Sequence, residues 1–230
     1  MPLRKSYRKR RPKVRRRKRT SLRKQIESSL ARIADRKFKV VRQPVATLPT
    51  YNPLTNPFSS FDLCKVSEGI GNEFRIGQRI TPVSMSIRMT FELPSTSAQP
   101  VAYLRYFIVR WPNKNSLTIP NDMHNVLDGL SSGGASTSFP VLFNSAYNPE
   151  AALKYKVLRT GAIAMVQRTS TQLKTINLAI PVKNTTMDFG PFSGNPVATA
   201  PIFNNVSLYL MCNNNTVQYS FYTKLTYIDV

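Results

Sequence analysis

Val83-Ser-Met-Ser-Ile-Arg-Met-Thr-Phe-Glu-Leu93 sets an apolar side chain at every odd position and Ser84, Ser86, Arg88, Thr90 and Glu92 between them. Successive side chains of a strand point to opposite faces. This unbroken period of two therefore predicts a strand with one face in a core and the other against water or a polar partner. The next segment, Val101-Ala-Tyr-Leu-Arg-Tyr-Phe-Ile-Val-Arg-Trp111, is apolar on both faces, which places it in the middle of a sheet. Further along, Ile176, Leu178, Ile180 and Val182 share one side, as do Val217, Tyr219, Phe221, Leu225 and Tyr227, after an apolar run over residues 206–212. Residues 155–168 form a weaker strand, interrupted at Gly161. Residues 38–48 form a first strand broken at Pro44, and residues 64–67 a short one.

Turn-rich loops separate these runs and hold most of the seventeen prolines, among them Asn52-Pro53, Asn56-Pro57, Asn148-Pro149 and Asn195-Pro196. About eight strands spaced in this way predict an all-β sandwich or barrel. One or two short helices accompany them. Leu22, Ile26, Leu30 and Ile33 recur at helical spacing, and residues 121–130 form a short helix in a long loop. The first stripe reads in two ways. It either folds on docking against nucleic acid or a neighbouring subunit, which Arg23, Lys24, Arg32, Arg36 and Lys37 favour, or it caps the underside of the sandwich.

Charge divides the chain. The first twenty-four residues hold fourteen basic residues and no acid: Arg4, Lys5, Arg8, Lys9, Arg10, Arg11, Lys13, Arg15, Arg16, Arg17, Lys18, Arg19, Arg23 and Lys24. So dense a run of like charge with so few apolar side chains cannot bury enough surface to offset its ordering entropy, and alone it is expected to be disordered. Against a polyanion it neutralises phosphates and releases counterions, binding nucleic acid with little regard for base sequence. A merely solvating tail is the plainer reading. Residues 1–42 carry a net +17, with nineteen Lys or Arg against Glu27 and Asp35, whereas residues 43–230 carry fourteen against nine, a net +5. The electrostatic work is delegated to the arm.

Much chemistry is missing. One histidine, His124, and two distant cysteines, Cys64 and Cys212, supply no zinc site, and no metal or other cofactor is expected. The lone thiols suit a reduced core. No Ser sits in a Gly-x-Ser-x-Gly elbow, and Glu68-Gly69-Ile70-Gly71 hints at a phosphate loop but has Phe74 where a third glycine belongs. Eleven acids in 230 residues make a two-metal nuclease centre a poor reading, so no catalytic residue is assigned. Aromatic residues beside basic ones, in Leu104-Arg105-Tyr106-Phe107 and Tyr155-Lys156, fit either base stacking or rim positions of a sheet. No stretch has the apolar length of a membrane span and the N-terminus lacks a signal-peptide h-region, so the chain is expected to be made in the cytosol.

Gly71-Asn-Glu-Phe-Arg-Ile-Gly-Gln-Arg-Ile-Thr81 leading into the alternating strand, followed by Tyr103-Leu-Arg-Tyr-Phe-Ile-Val-Arg110, resembles segments of the capsid proteins of circovirus-like viruses, whose circular single-stranded DNA encodes a replication initiator. Tyr155-Lys-Val-Leu-Arg159, Lys174-Thr-Ile-Asn-Leu178 and Val206-Ser-Leu-Tyr-Leu-Met211 are similar to their later strands. The resemblance implies an eight-stranded jelly roll of two four-stranded sheets over residues 38–230, preceded by an arm over residues 1–37 that is disordered to partly helical. It also implies a closed icosahedral shell of about sixty copies, with arms turned onto a single-stranded genome, DNA more readily than RNA. About sixty arms would bring on the order of a thousand positive charges, comparable with the phosphates of a genome of that many nucleotides. Arg8-Lys9-Arg10-Arg11 and Arg15-Arg16-Arg17-Lys18-Arg19 would serve as nuclear-import signals for host receptors, giving a protein of the virion and of the host nucleus and cytoplasm. Residues 112–152 and 184–204 would form outer loops. The competing class is a non-viral basic nucleic-acid-binding protein of ribosomal or chromatin type, which would usually spread charge over its folded domain as well.

Overall fold

The computed structural model describes residues 36–49, 58–113, 126–127, 139–147, 154–167, 169–183, 185–191 and 199–230. Its strands are β1 (Lys37–Thr47), β2 (Ser59–Asp62), β3 (Arg79–Leu93), β4 (Val101–Asn113), β5 (Lys156–Val166), β6 (Gln172–Ile180), β7 (Met187–Asp188), β8 (Phe203–Cys212) and β9 (Gln218–Asp229), with one short helix, α1 (Phe139–Asn144). Pairing is antiparallel throughout. One four-stranded array runs β1–β9–β3–β6 and the other β2–β8–β4–β5. The two-residue β7 bonds to Arg79 and Ile80 of β3 and to Phe203 of β8, stitching both arrays into one nine-stranded sheet whose continuous path is β1–β9–β3–β7–β8–β4–β5, with β6 on β3 and β2 on β8. In this order the first strand lies beside the last, and the connections cross between the arrays except β4 to β5, which are neighbours in one array. It is the jelly roll, with eight strands in two arrays plus β7.

The two arrays share one core. Met85, Ile87, Met89 and Phe91 of β3 and Phe221 and Leu225 of β9 meet Leu104 and Ile108 of β4 and Leu208 and Leu210 of β8. Alternation along β3 holds from Met85 to Leu93, but its pairing with β9 shifts between Pro82 and Ser84. Val83 is the extra residue. A bulge inverts the parity of what precedes it, which is why Ile80 and Pro82, on even positions, are buried as well. β4 is buried on both sides over Tyr106, Phe107, Ile108 and Val109, as its composition predicts for an interior strand.

Three strand expectations are corrected. The short early strand lies at Ser59–Asp62 rather than over residues 64–67, where only Val66 makes an isolated bridge, to Thr199. The first strand is not broken at Pro44. Proline offers no N–H, and β1 accommodates it in a bulge where Pro44 and Val45 together oppose the stretch between Phe221 and Tyr219. β5 runs straight through Gly161, opposite Tyr106 of β4. A Cβ at Gly161 would lie 2.5 Å from the Tyr106 hydroxyl oxygen and 2.7 Å from two ring carbons, so the glycine is the space into which the tyrosine lies. Of the two expected helices, residues 22–33 lie outside the described residues, and residues 121–130 do so except for Val126 and Leu127. α1 was not anticipated.

Gly161→Ala is expected to lower stability by about 1–3 kcal/mol through overpacking. Combining it with Tyr106→Leu should recover part of that loss, read as a non-additive double-mutant cycle in urea unfolding.

Candidate nucleic-acid interface

All fourteen arm residues assigned to nucleic-acid binding, from Arg4 to Lys24, and the import clusters among them lie outside the described residues, as does His124. What the structure describes is the body, whose two outer faces differ in kind.

The outer face of the β2–β8–β4–β5 array is apolar and covered. Phe107, Val109 and Trp111 of β4 and Tyr209 and Met211 of β8 lie buried with Val126, Leu127 and Tyr155, and Phe58, Phe139 and Phe143 pack against them. Trp111 Nε1–H donates to the Tyr209 hydroxyl at 3.1 Å, and the Tyr155 hydroxyl donates to the Val126 carbonyl at 3.2 Å. Burial pushes the Tyr155 phenol above its ordinary range, with Tyr147 adding to the effect. Arg105 lies over Phe107 at 4.6 Å and donates to the carbonyls of Phe143 and Ser145 at 2.7 and 3.1 Å. The aromatics of Leu104-Arg105-Tyr106-Phe107 and Tyr155-Lys156 are therefore core, and offer no base-stacking surface.

The outer face of the β1–β9–β3–β6 array is polar and, among the described residues, uncovered. Pairing sets Arg42 of β1 against Tyr222 of β9, Tyr222 against Arg88 of β3, and Arg88 against Asn177 of β6, one row across four strands. The row beside it reads Val40, Lys224, Ser86 and Ala179. Arg42, Arg88, Lys224 and Asn177 are exposed, and Tyr222 is 39 % exposed with the Arg42 guanidinium 5.8 Å from its ring centre. No carboxylate among the described residues pairs with any of the three cations. Two open hollows flank the ring. One of about 700 Å³ lies between Tyr222, Arg88, Ser86 and Ala179, and one of about 360 Å³ between Tyr222, Arg42 and Pro44. Sequence reading missed this constellation because its members come from four strands and share no local motif.

The segment that carries the capsid resemblance closes one end of the sandwich. Arg75, 1 % exposed, is ion-paired with buried Glu68, donates to the Gly77 carbonyl at 2.8 Å and lies 4.5 Å from the Phe189 ring centre. Gly69 and Gly71 take φ of 153° and 133°, and a Cβ at Gly69 would come within 3.0 Å of Phe74. These glycines admit a phenyl ring where a phosphate loop would admit an anion. Lys37, at the start of β1, reaches Asp229 of β9 at 2.6 Å and the Phe74 carbonyl at 3.1 Å, fastening the segment to the C-terminal strand. Glu68→Gln should leave the Arg75 charge buried without its counter-ion and cost about 3–5 kcal/mol, whereas Glu68→Leu with Arg75→Met should cost far less; chemical unfolding of both variants checks this.

β7 is held by charge too. Burial alone would raise the Asp188 carboxyl, but the Gly190 N–H at 2.9 Å and Arg79 Nε at 2.8 Å, with Arg75 nearby, outweigh it and hold the group below its ordinary 3.8. A depressed carboxyl stabilises the fold wherever it is ionised in both states and ceases to do so as pH falls through its folded value. Wild type should therefore hold a constant advantage over Asp188→Asn above about pH 5 and lose it below 3.8 in pH-dependent unfolding.

Both thiols are free and buried, and burial pushes Cys64 up to about 12 and Cys212 up to about 11, so neither is a nucleophile near neutrality. Among the described residues no group of three or more His, Cys, Asp or Glu could hold a metal ion, and no helix is long and apolar enough to cross a membrane.

No protein-family model matches the chain, and no curated protein matches it in sequence. Among solved structures it is similar to a chain of the Macrobrachium rosenbergii nodavirus, with 13 % identity and a TM-score of 0.33 over all of this chain. The present chain spans 61 % of that chain's length.

Proposed function

We propose that this chain is a viral coat protein, of the circovirus-like group, that self-assembles into a small icosahedral shell and packages a single-stranded genome through its basic N-terminal arm. The observation that carries the proposal is the joining of a jelly-roll body to a segment with fourteen basic residues in its first twenty-four and no acid. A sandwich of two four-stranded arrays gives a rigid block with loops at its ends, which suits tiling. The arm supplies a counterion-release affinity that is blind to sequence, which suits a whole genome.

On this reading about sixty copies close the shell, and residues 1–37 turn onto the genome while residues 38–230 form the wall. DNA is the favoured cargo, through the resemblance of residues 71–81 and 103–110 to circovirus-like capsid segments. Residues 8–11 and 15–19 engage host import receptors, so the protein passes through the cytoplasm and nucleus before it resides in the virion. The role is structural and not enzymatic, and needs no cofactor.

Negative-stain electron microscopy of the purified chain, with and without single-stranded DNA at low salt, tests this. Uniform closed particles are expected, and deletion of residues 1–24 should leave the body folded while DNA binding falls sharply. A chain that stays monomeric at every salt and pH, with DNA or without, would turn the choice to a nucleic-acid-binding protein of ribosomal or chromatin type.

A further inference from the structure

Among the described residues, one outer sheet face is exposed and carries three cations with no acid partner around a central aromatic ring, while the other outer face is covered by side chains packed over it. Adjacent strands stand about 4.8 Å apart, so Arg42 and Arg88, two strands from each other, flank Tyr222 with their Cα atoms about 10 Å apart. Lys224, two residues beyond Tyr222 on the same face of β9, extends the positive field along the strand. Ser86 and Ala179 are small, and that is why the hollow beside the ring stays open.

We infer that this face is a second contact for single-stranded nucleic acid, in which a base stacks on Tyr222 and backbone phosphates lie against Arg42, Arg88 and Lys224. The inference rests on the packaging role proposed above and adds to it a site on the folded body. Each part of the arrangement has its counterpart in the ligand. Every base has a π-face, so one ring serves any sequence. Guanidinium groups on both sides match phosphates spaced along one strand. Asn177, at the end of the row, offers amide donors and an acceptor to a base edge or a sugar.

Charge also decides against the other obvious occupant, a second copy of this chain. With thirty-three basic residues against eleven acids, a second copy is a poor complement for an unneutralised basic face. Glu92 is the one acid that β3 turns to this side, and it stands at the far end of the strand from Ser84. An unstructured polyanion is the fitting partner. The aromatic ring selects the single strand, whose bases are free to stack, over a duplex, whose faces are already occupied.

The test is photo-crosslinking of the full-length protein to oligothymidylate carrying thiothymidine, with adducts mapped by mass spectrometry. Adducts are expected on the peptide containing Tyr222 as well as on the arm. In Arg42→Ser with Arg88→Ser the Tyr222 adduct should vanish while arm adducts persist. The slope of log affinity against log salt should fall by about 1.4 for the two lost phosphate contacts. Tyr222→Phe should retain the adduct, because stacking needs the ring and not the hydroxyl. Adducts confined to residues 1–36 would overturn the inference and leave packaging by the arm standing, whereas no binding at low salt would overturn both. An amine-reactive crosslinker joining Lys224 to a second chain, with no nucleotide adduct at Tyr222, would overturn it in favour of a subunit contact. A thermal melt of each variant separates loss of contact from loss of fold.

Discussion

Parity along β3 is the constraint on which the rest of the structure depends. This strand bonds to β9 over Ile80–Glu92, to β6 over Met85–Leu93 and to β7 at Arg79 and Ile80, so its side chains set the facing of three other strands. A slip of one residue would carry Met85, Ile87, Met89 and Phe91 out of the core and put Ser86, Arg88 and Thr90 in their place. Burying an arginine and two hydroxyls there without partners would cost several kcal/mol. The register is therefore strongly specified, and the Val83 bulge is placed where β3 leaves its partner β7 and must bring a new set of side chains inward.

Closing the sandwich raises a second problem, since the ends of two sheets leave backbone groups and apolar edges without cover. Residues 67–78 solve it at one end by folding on themselves. The Arg75 N–H donates to the Ser67 carbonyl and the Gly69 N–H to the Arg75 carbonyl, while the Arg75 side chain passes inward to Glu68 and Phe189. A buried ion pair is a poor source of net stability but a strong selector of one arrangement, because few alternatives satisfy both charges. Lys37 then ties the segment to Asp229, so the first and last strands are joined by side chains as well as by the β1–β9 ladder.

Strands with clean alternation or a continuous apolar run were legible in the sequence, and they sufficed for an all-β sandwich or barrel, the jelly roll being implied only by the resemblance. β2 was not, because Ser59-Ser60-Phe61-Asp62 has one apolar side chain and owes its place to pairing with β8. Gly161 read as an interruption because the tyrosine that occupies its missing side chain comes from another strand. The same limit applies to function. Leu104-Arg105-Tyr106-Phe107 is contiguous, and so drew notice as a stacking element, yet the fold turns both rings inward. Arg42, Tyr222, Arg88 and Asn177 are dispersed over 180 positions of chain, and only strand pairing makes them one row. A run of charge is visible to composition, whereas a surface is visible only to topology.

The division of charge between arm and body follows from what each can hold. A sandwich of two sheets has four faces and must devote two of them to the core, and here a third is sealed by Phe107, Trp111, Tyr209 and the residues packed over them. That third face needs cover because it is aromatic. The fourth needs none, since Ser84, Ser86, Arg88, Asn177, Ser220 and Lys224 are at ease in water. Polarity there removes the hydrophobic reason to bury the face, and the spacing of its cations keeps their mutual repulsion small. A dense run of like charge could not be carried on such a sheet without opposing its folding. The sequence concentrates that charge in residues 4–24 instead, and β1, further along the chain, bears Arg42 on the open face.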